Sequence, residues 1–241
     1  MINLILTMAG KYERFRLFGN KVPKYLMPLG SRTVLWHVID KLVGSNKDLN
    51  VFLIANERDI EFEPIVKSIM QGLDIPPENI KYIKDTNSQL ETAIAASNFI
   101  SEDCTSKIVF TNIDTLLSNR SEYFQKMSKL TFNEGLMDTF EGDSHEYSYA
   151  KTEFDRVIKI VDKLPISENA CSGLYGFGSS SFFFSKAKEL LSDSNVLSFT
   201  EIFNKYIEEE KSVYCNHNPN KNDTIVLGTP EEYITNLHKV S

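Results

Sequence analysis

The feature that most constrains this chain is an alternation in its first half. Short apolar runs, INLILT (2–7), NVFLIA (50–55), NIKYI (79–83) and SKIVFTN (106–112), are separated by stretches with helical periodicity. Runs so rich in β-branched and aromatic residues, with little polar alternation, fit strands of a parallel sheet covered on both faces. Between the first two runs, RTVLWHVIDKLVG places Val34, Leu35, Val38, Ile39 and Leu42 on one helical stripe. Pro64 suits the first turn of another helix, with the stripe Ile65, Ile69 and Leu73. A third helix runs from about Gln89 to Phe99, opened by a capping box of Ser88 and Glu91. The alternation predicts an α/β fold, with a Rossmann-like, mostly parallel central sheet flanked by helices and right-handed crossovers.

The pattern changes from Glu134 to Phe177, where strand-like pieces (LMDTF, YSYAK, RVIKIV, SGLYGF) surround a turn at Glu153-Phe154-Asp155. This reads as a small antiparallel extension of the main sheet. Helices are expected at about 181–191 and 199–209, the second opened by Ser198 and Glu201. A last strand, TIVL (224–227), leads to Thr229-Pro230-Glu231-Glu232, which offers an N-cap, a proline at N1 and acids in the first turn. No linker divides the chain, so 1–241 is expected to be a single domain.

Composition narrows the function classes. The chain has 241 residues, 41% hydrophobic and 24% charged, enough for a sizeable core. Its net charge of −7 argues against a general nucleic-acid binder, which needs a broad basic face. No apolar run approaches the ~20 residues that span a bilayer. Met1-Ile-Asn-Leu-Ile-Leu lacks the basic flank of a secretory signal and reads as a strand. Cys104, Cys171 and Cys215 are scattered and odd in number, which fits buried thiols of a cytoplasmic protein better than disulfides or a zinc site. The four histidines form no ligand spacing, and His37 reads as a packed or solvated residue of a helix.

Against that acidic background, the connection after the first strand stands out. Between Met8 and Ser31 lie Lys11, Arg14, Arg16, Lys21 and Lys24 with one acid, Glu13, so this stretch carries +4. Long connections in compact domains are usually functional or disordered. In open α/β sheets, ligands bind beyond the carboxyl ends of the parallel strands. The basic loop, the Ser88 helix start and Asp114 all fall at that edge. Cations, backbone amides and one hard oxygen ligand suggest a nucleoside triphosphate with Mg²⁺, alongside the reading of a merely solvated basic face. The phosphate loop G-x-x-x-x-G-K-[ST], the G-x-G-x-x-G turn, the G-x-S-x-G elbow and the H-E-x-x-H pair are all absent.

Ordered motifs along nearly the whole chain resemble those of the sugar-phosphate nucleotidyltransferases. Ala9-Gly10, Arg14 and Pro23-Lys24 are similar to the A-G-x-G-x-R…P-K signature. Thr86 to Thr92 matches the base-reading turn, Asn112-Ile113-Asp114 the metal-binding aspartate, and Val161-Asp162-Lys163 stands for V-E-K. Ser172-Gly173-Leu174-Tyr175 resembles the G-[IL]-Y strand, and Gly228-Thr229-Pro230-Glu231 the closing G-T-P-E. The stretch from YSYAK to SGLYGF looks most like a branch found in capsule and surface-glycan gene sets.

The resemblance implies the nucleotide-diphospho-sugar transferase fold, with 1–133 mainly binding nucleotide and 134–241 mainly binding acceptor and closing the site. It implies transfer of an NMP from an NTP to a small phosphorylated acceptor, with pyrophosphate released. The branch favours CTP, and the acceptor is a phosphorylated amino acid derivative or a sugar 1-phosphate. Arg14 and Lys24 would hold the triphosphate, Lys163 the acceptor phosphate, and Asp114 the Mg²⁺. Met8, Ala9, Gly10, Ser88, Gln89 and Thr92 would meet the nucleotide. Two departures stand out: Tyr12 replaces the signature's second glycine, suggesting a different backbone path, and Val226 replaces a second metal-binding aspartate, leaving Asp223 as the nearest substitute. A nucleotide-sugar-dependent glycosyltransferase and a non-catalytic nucleotide-binding module remain the alternatives. The first usually carries D-x-D where this chain has Asn112-Ile113-Asp114.

Overall fold

The computed structural model describes residues 1–44, 46, 48–98, 100, 106–193 and 198–240. Cys104 and Phe99, which enter the expectations above, lie outside the described residues.

The chain opens with β1 (Ile2–Met8), and the basic connection then carries α1 (Glu13–Leu17), a 3₁₀ turn (Lys24–Leu26) and the short strands β2 (Pro28–Leu29) and β3 (Arg32–Thr33). Next come α2 (Val34–Val43), β4 (Leu49–Asn56), a 3₁₀ turn (Glu57–Phe62), α3 (Glu63–Gly72), β5 (Ile80–Ile83) and α4 (Gln89–Ile94). The middle holds β6 (Lys107–Asn112), β7 (Thr115–Leu117), α5 (Ser121–Lys129), β8 (Gly135–Glu141), β9 (Ser148–Glu153), β10 (Arg156–Asp162) and β11 (Asn169–Phe177). The chain ends through α6 (Ser180–Asp193), α7 (Phe199–Glu208), β12 (Val213–Asn218), β13 (Thr224–Val226) and α8 (Pro230–Asn236).

Nine strands form one sheet in the order β5-β4-β1-β6-β11-β8-β12-β10-β9. The continuous apolar runs are explained by a core on each face. Leu4 and Leu6 of β1 and Val109 of β6 pack with Leu35, Val38, Ile39 and Leu42 of α2. Ile5, Ile54 and Phe110 face the other way, into a core with Phe177, Phe183, Phe199 and Phe203. Side chains alternate across a strand, so β1 sends apolar residues into both cores.

The sheet is mixed, which corrects the expectation of a mostly parallel one. β5, β4, β1 and β6 are parallel, as is the β8–β12 pair, while β6–β11, β11–β8, β12–β10, β10–β9 and β11–β9 are antiparallel. The connections between β8 and β11 are only a few residues long, too short for the crossover that parallel neighbours need. TIVL does not join the main sheet either; β13 pairs with β7 in a separate two-stranded ladder.

Local signals behave as their chemistry dictates. Thr33 caps α2 by accepting from the Trp36 amide, and Ser88 caps α4 by accepting from the Glu91 amide. Thr229 and Glu232 form a reciprocal capping box at α8. In α3 the fully buried residues are Val66 and Met70, whereas Ile65 of the expected stripe is half exposed. His37 is buried with Nε2 2.8 Å from the Leu29 carbonyl oxygen, a satisfied core histidine.

Candidate active site

The carboxyl ends of β1, β4 and β6 meet the basic connection, and a cleft of about 470 Å³ opens there. Met8, Ala9, Gly10, Lys24, Ser88, Gln89, Thr92 and Asp114 all line it. A second cleft of about 260 Å³ lies alongside, bordered by Arg14, Tyr147, Ser172, Gly173, Gly228 and Glu232. The two share Gln89, Asn112 and Asp114. Asp114 therefore stands where two bound molecules could touch.

Lys24 Nζ lies 2.6 Å from Asp114 Oδ2, with about a fifth of each side chain exposed. The Lys24 end of the basic connection is fixed by buried neighbours, Phe15, Tyr25 and Leu26. Arg14 sits on α1 and pairs with Glu146 at 2.9 Å across the mouth of the second cleft, both half exposed. Lys24 thus lines the first cleft and Arg14 the second, with Asp114 common to both.

Tyr12 keeps the backbone conformation that glycine adopts easily: its φ is +39° and ψ +38°. Its side chain explains how that is tolerated. The phenol donates to Asp59 Oδ1 at 2.5 Å, and the Arg58 and Arg16 guanidiniums lie 5.1 and 4.9 Å from the ring centre. Burial and then Asp59 push the phenol's pKa up. Arg58 also donates to the Ala9 carbonyl at 3.2 Å, to the Gly10 carbonyl, and to Asp85 at 2.8 Å. With its carbonyls turned toward Arg58, the Ala9-Gly10 turn is held against β4. Arg58 was not singled out from the sequence; its place just past the end of a parallel strand was the available signal.

The glycine of the SGLY motif is required by geometry. Gly173 has φ +89°, and a Cβ there would lie 2.6 Å from Asn112 Nδ2. The β11–β8 register shifts between Cys171 and Tyr175, so this bulge brings β11 against the end of β6. Behind it lies a buried charge network. Asp138 accepts from Arg120 Nε at 2.8 Å, Ser172 Oγ at 2.7 Å and Asn216 Nδ2 at 2.9 Å. Arg120 also donates to Thr224 Oγ1 at 2.6 Å, tying the floor of the second cleft to β13. Burial pushes Asp138 up despite these donors. Neither residue carried a sequence signal, since an isolated Arg or Asp is usually exposed.

Two expected residues fall outside both clefts. Asp223 accepts from Asn119 Nδ2 at 2.9 Å, and Ser118 N donates to its carbonyl. It sits beside Ser118 at the far end of the β7–β13 ladder, roughly 10 Å of strand away from the end next to Asp114, where Val226 faces Thr115. The structure does not bring the two aspartates together. Lys163 is exposed just past β10, with φ +57°, and its N–H donates to the Tyr147 carbonyl at 2.9 Å. Its backbone is tied to a residue of the second cleft, while its side chain is not part of the lining.

No group of three His, Cys, Asp or Glu side chains able to hold a metal occurs among the described residues. Mg²⁺ beside phosphates commonly takes one or two protein carboxylates with phosphate and water oxygens, and Asp114 fits that donor set.

The fold is shared by solved structures of known chemistry. A nucleoside-diphosphate-sugar pyrophosphorylase from Vibrio cholerae RC9 superposes with a TM-score of 0.80 at 21% identity, covering 98% of this chain and 99% of that one. This chain shares that fold along nearly its whole length. A UDP-glucose pyrophosphorylase complexed with UDP-glucose gives 0.76 at 14% identity, with 98% and 97% covered. The inositol-1-phosphate CTP transferase from T. maritima gives 0.74 at 12% identity, again with 98% and 97% covered. No protein-family model matches the chain, and no curated protein sequence does. No helix among the described residues is long and apolar enough to cross a membrane.

Proposed function

We propose that the chain is a nucleotidyltransferase that moves an NMP from an NTP to the phosphate of a small acceptor and releases pyrophosphate. The observation that carries this reading is the meeting of two clefts at Asp114, with Lys24 on one side and Arg14 on the other. The nucleotide occupies the cleft under Ala9-Gly10 and Ser88, and the acceptor occupies the cleft bordered by Tyr147, Ser172 and Glu232. An acceptor phosphate oxygen forms the new bond to the α-phosphorus while the bond to the β-phosphate oxygen breaks and pyrophosphate leaves with that electron pair.

A phosphomonoester with a second pKa of about 6 is already a nucleophile at neutral pH, so no general base is required. The protein's task is to align two anions and to neutralise charge. Lys24 and Arg14 hold the triphosphate and the departing pyrophosphate, and Lys163 swings in over the acceptor phosphate. Asp114 would hold Mg²⁺, which when bound would supply charge neutralisation on the phosphate oxygens.

The nucleotide is CTP in this reading. Thr92 Oγ1 donates to the Ser88 carbonyl at 3.2 Å, so the 2.7 Å contact between Thr86 and Thr92 hydroxyls has Thr86 as donor. The Thr86 oxygen then offers lone pairs to the cleft, a match for the 4-amino group of cytosine. The setting is the cytoplasmic synthesis of capsule or surface-polysaccharide precursors. The acceptor is phosphoglutamine, as for the CTP:phosphoglutamine cytidylyltransferase of capsule phosphoramidate synthesis, or a sugar 1-phosphate.

The test is a pyrophosphate-release screen of the four common NTPs with Mg²⁺ against phosphoglutamine, sugar 1-phosphates and small phosphorylated metabolites. CTP-dependent release with one acceptor class is expected. Release from none of the combinations would remove the transferase reading, and the same test separates it from a glycosyltransferase, which frees no pyrophosphate.

A further inference from the structure

One side chain ties together the two connections that wall the first cleft. β4 lies between β5 and β1 in the sheet, so residues at its end reach the chain leaving both neighbours. Arg58 Nη2 donates to the Ala9 carbonyl at 3.2 Å and to the Gly10 carbonyl, just beyond β1. Its Nη1 donates at 2.8 Å to Asp85 Oδ1, beyond β5 and next to Thr86. Asn56, buried at the last position of β4, repeats the bridge. Its Nδ2 lies 2.8 Å from the same Asp85 oxygen and 3.5 Å from the Ala9 carbonyl. Asn56 Oδ1 accepts from the Arg58 amide at 3.0 Å, fixing the backbone from which the guanidinium projects. The Tyr12 ring covers that guanidinium, its centre 5.1 Å away.

The two walls have different tasks in the proposed reaction. Ala9, Gly10 and Lys11 line the phosphate side, and Thr86 and Ser88 the base side. In a planar trans peptide the C=O and N–H point opposite ways. Carbonyls of Ala9 and Gly10 drawn to Arg58 therefore turn the N–H groups of Gly10 and Lys11 away from it. Neither N–H meets an acceptor among the described residues. Adjacent free amides in a turn make an anion site, and a turn held still binds without first paying to be ordered. On the base side the anchored group, Asp85, is 62% exposed, so burial does not hold it; the two donors from β4 do.

We infer that Arg58 is a positioning residue that fixes the spacing between the phosphate and base walls, with Asp85 as its anchor on the base side. This deepens the transferase reading and rests on it for the placement of the nucleotide. The planar fork of a guanidinium suits the task, because its N–H groups leave in fixed directions toward two connections at once. Arg58 and Asp85 act through the Gly10 turn and through Thr86, and neither belongs to the cleft lining.

The test uses the full chain without acceptor, titrated calorimetrically with the four common NTPs and with inorganic tripolyphosphate, each with Mg²⁺. Tripolyphosphate reads the phosphate side alone, and an NTP reads both sides. The wild type is expected to bind at least one NTP more tightly than tripolyphosphate. Arg58→Met should weaken both ligands by about tenfold. Asp85→Ala cuts only the base-side anchor, so it should weaken the NTP by about tenfold and leave tripolyphosphate no weaker. Removing a negative charge near an anion site would, on charge alone, tighten binding, so a loss in Asp85→Ala reads positioning. Because both substitutions break one bridge, the double variant should lose less than the product of the single losses. Asp85→Ala removes an exposed carboxylate, so its outcome stands even if Arg58→Met fails to fold. The inference is overturned if either variant leaves NTP binding unchanged, if Asp85→Ala weakens tripolyphosphate equally, or if the two losses multiply. A wild type that favours no NTP over tripolyphosphate overturns it as well. The expected binding pattern with no pyrophosphate release from any NTP and acceptor would instead sink the transferase reading alone.

Discussion

Lys24 Nζ and Asp114 Oδ2 stand 2.6 Å apart at the point shared by both clefts, although they are 90 positions apart in sequence. The group proposed to bind phosphate neutralises the group proposed to bind metal. In the proposed reaction, binding a metal–triphosphate complex would exchange this one ion pair for two new ones.

Lys24→Ala should therefore separate activity from stability. The pair is partly exposed, and such pairs contribute about 0–1 kcal/mol. Losing a charge that stabilises the transition state costs roughly 10²–10³ in rate. Pyrophosphate release should fall by that factor while the midpoint of thermal unfolding stays within a few degrees. A variant that loses stability and activity in parallel would make Lys24 a structural residue.

Tyr12 should matter to stability more than its half-buried position suggests. Tyr12→Phe keeps the ring contacts with Arg16 and Arg58 but strips a hydrogen bond from the buried carboxylate of Asp59. Arg58 Nε stays 3.6 Å from that oxygen and Tyr25 still donates to Oδ2 at 3.3 Å, so the lost hydrogen bond costs about 1 kcal/mol. Urea unfolding of the two proteins measures it. A change within error would show that the phenol does not hold the left-handed turn.

Much of the fold was legible because its signals were local and repeated. The β1, β4, β5 and β6 runs, the caps Ser88 and Thr229 and the Glu153–Asp155 turn all reported their own environment. What the sequence hid was pairing. VYCNHN in β12 is half polar because Asn216 faces Asp138, so it carries no strand alternation. The antiparallel entry of β11 beside β6 depends on connection lengths and on the Gly173 bulge. The site was legible where residues act from a backbone end of β1, α4 or β6, and hidden where they act through a partner. Arg58 holds the Gly10 turn, and Asp138 holds Ser172, through contacts spanning 48 and 34 positions. Asp223, chosen for its nearness in sequence to Val226, lies at the wrong end of a ladder whose direction only the pairing reveals.

The Arg120–Asp138 pair gives a pH-dependent prediction. Both side chains are fully buried, and burial already holds Asp138 above the ordinary value of 3.8 against the pull of Arg120. Arg120→Met leaves the carboxylate without its cation, which costs about 3–5 kcal/mol at neutral pH and raises the folded-state pKa further. A carboxyl whose pKa is higher folded than unfolded contributes stability that is complete below the unfolded value. That contribution is lost as pH rises through the folded value. The penalty of Arg120→Met, read from urea unfolding at a series of pH values, should therefore grow from acid toward neutral pH. A penalty that is flat with pH would mean that Arg120 does not lower the folded-state pKa of Asp138.

Lys163 offers the sharpest division between a transferase and a binding module. Its side chain is exposed, and its backbone N–H is the group tied to Tyr147, so Lys163→Ala removes a free cation without disturbing that 2.9 Å bond. Alanine meets the same backbone demand as lysine at φ +57°, since both carry a Cβ. Stability and triphosphate binding should stay at wild-type levels. If Lys163 closes over the acceptor phosphate, turnover falls by roughly 10²–10³ and the acceptor's apparent affinity falls with it. Nucleotide titration and steady-state pyrophosphate release on one preparation read both quantities. An enzyme that keeps full turnover as Lys163→Ala would remove Lys163 from the acceptor site.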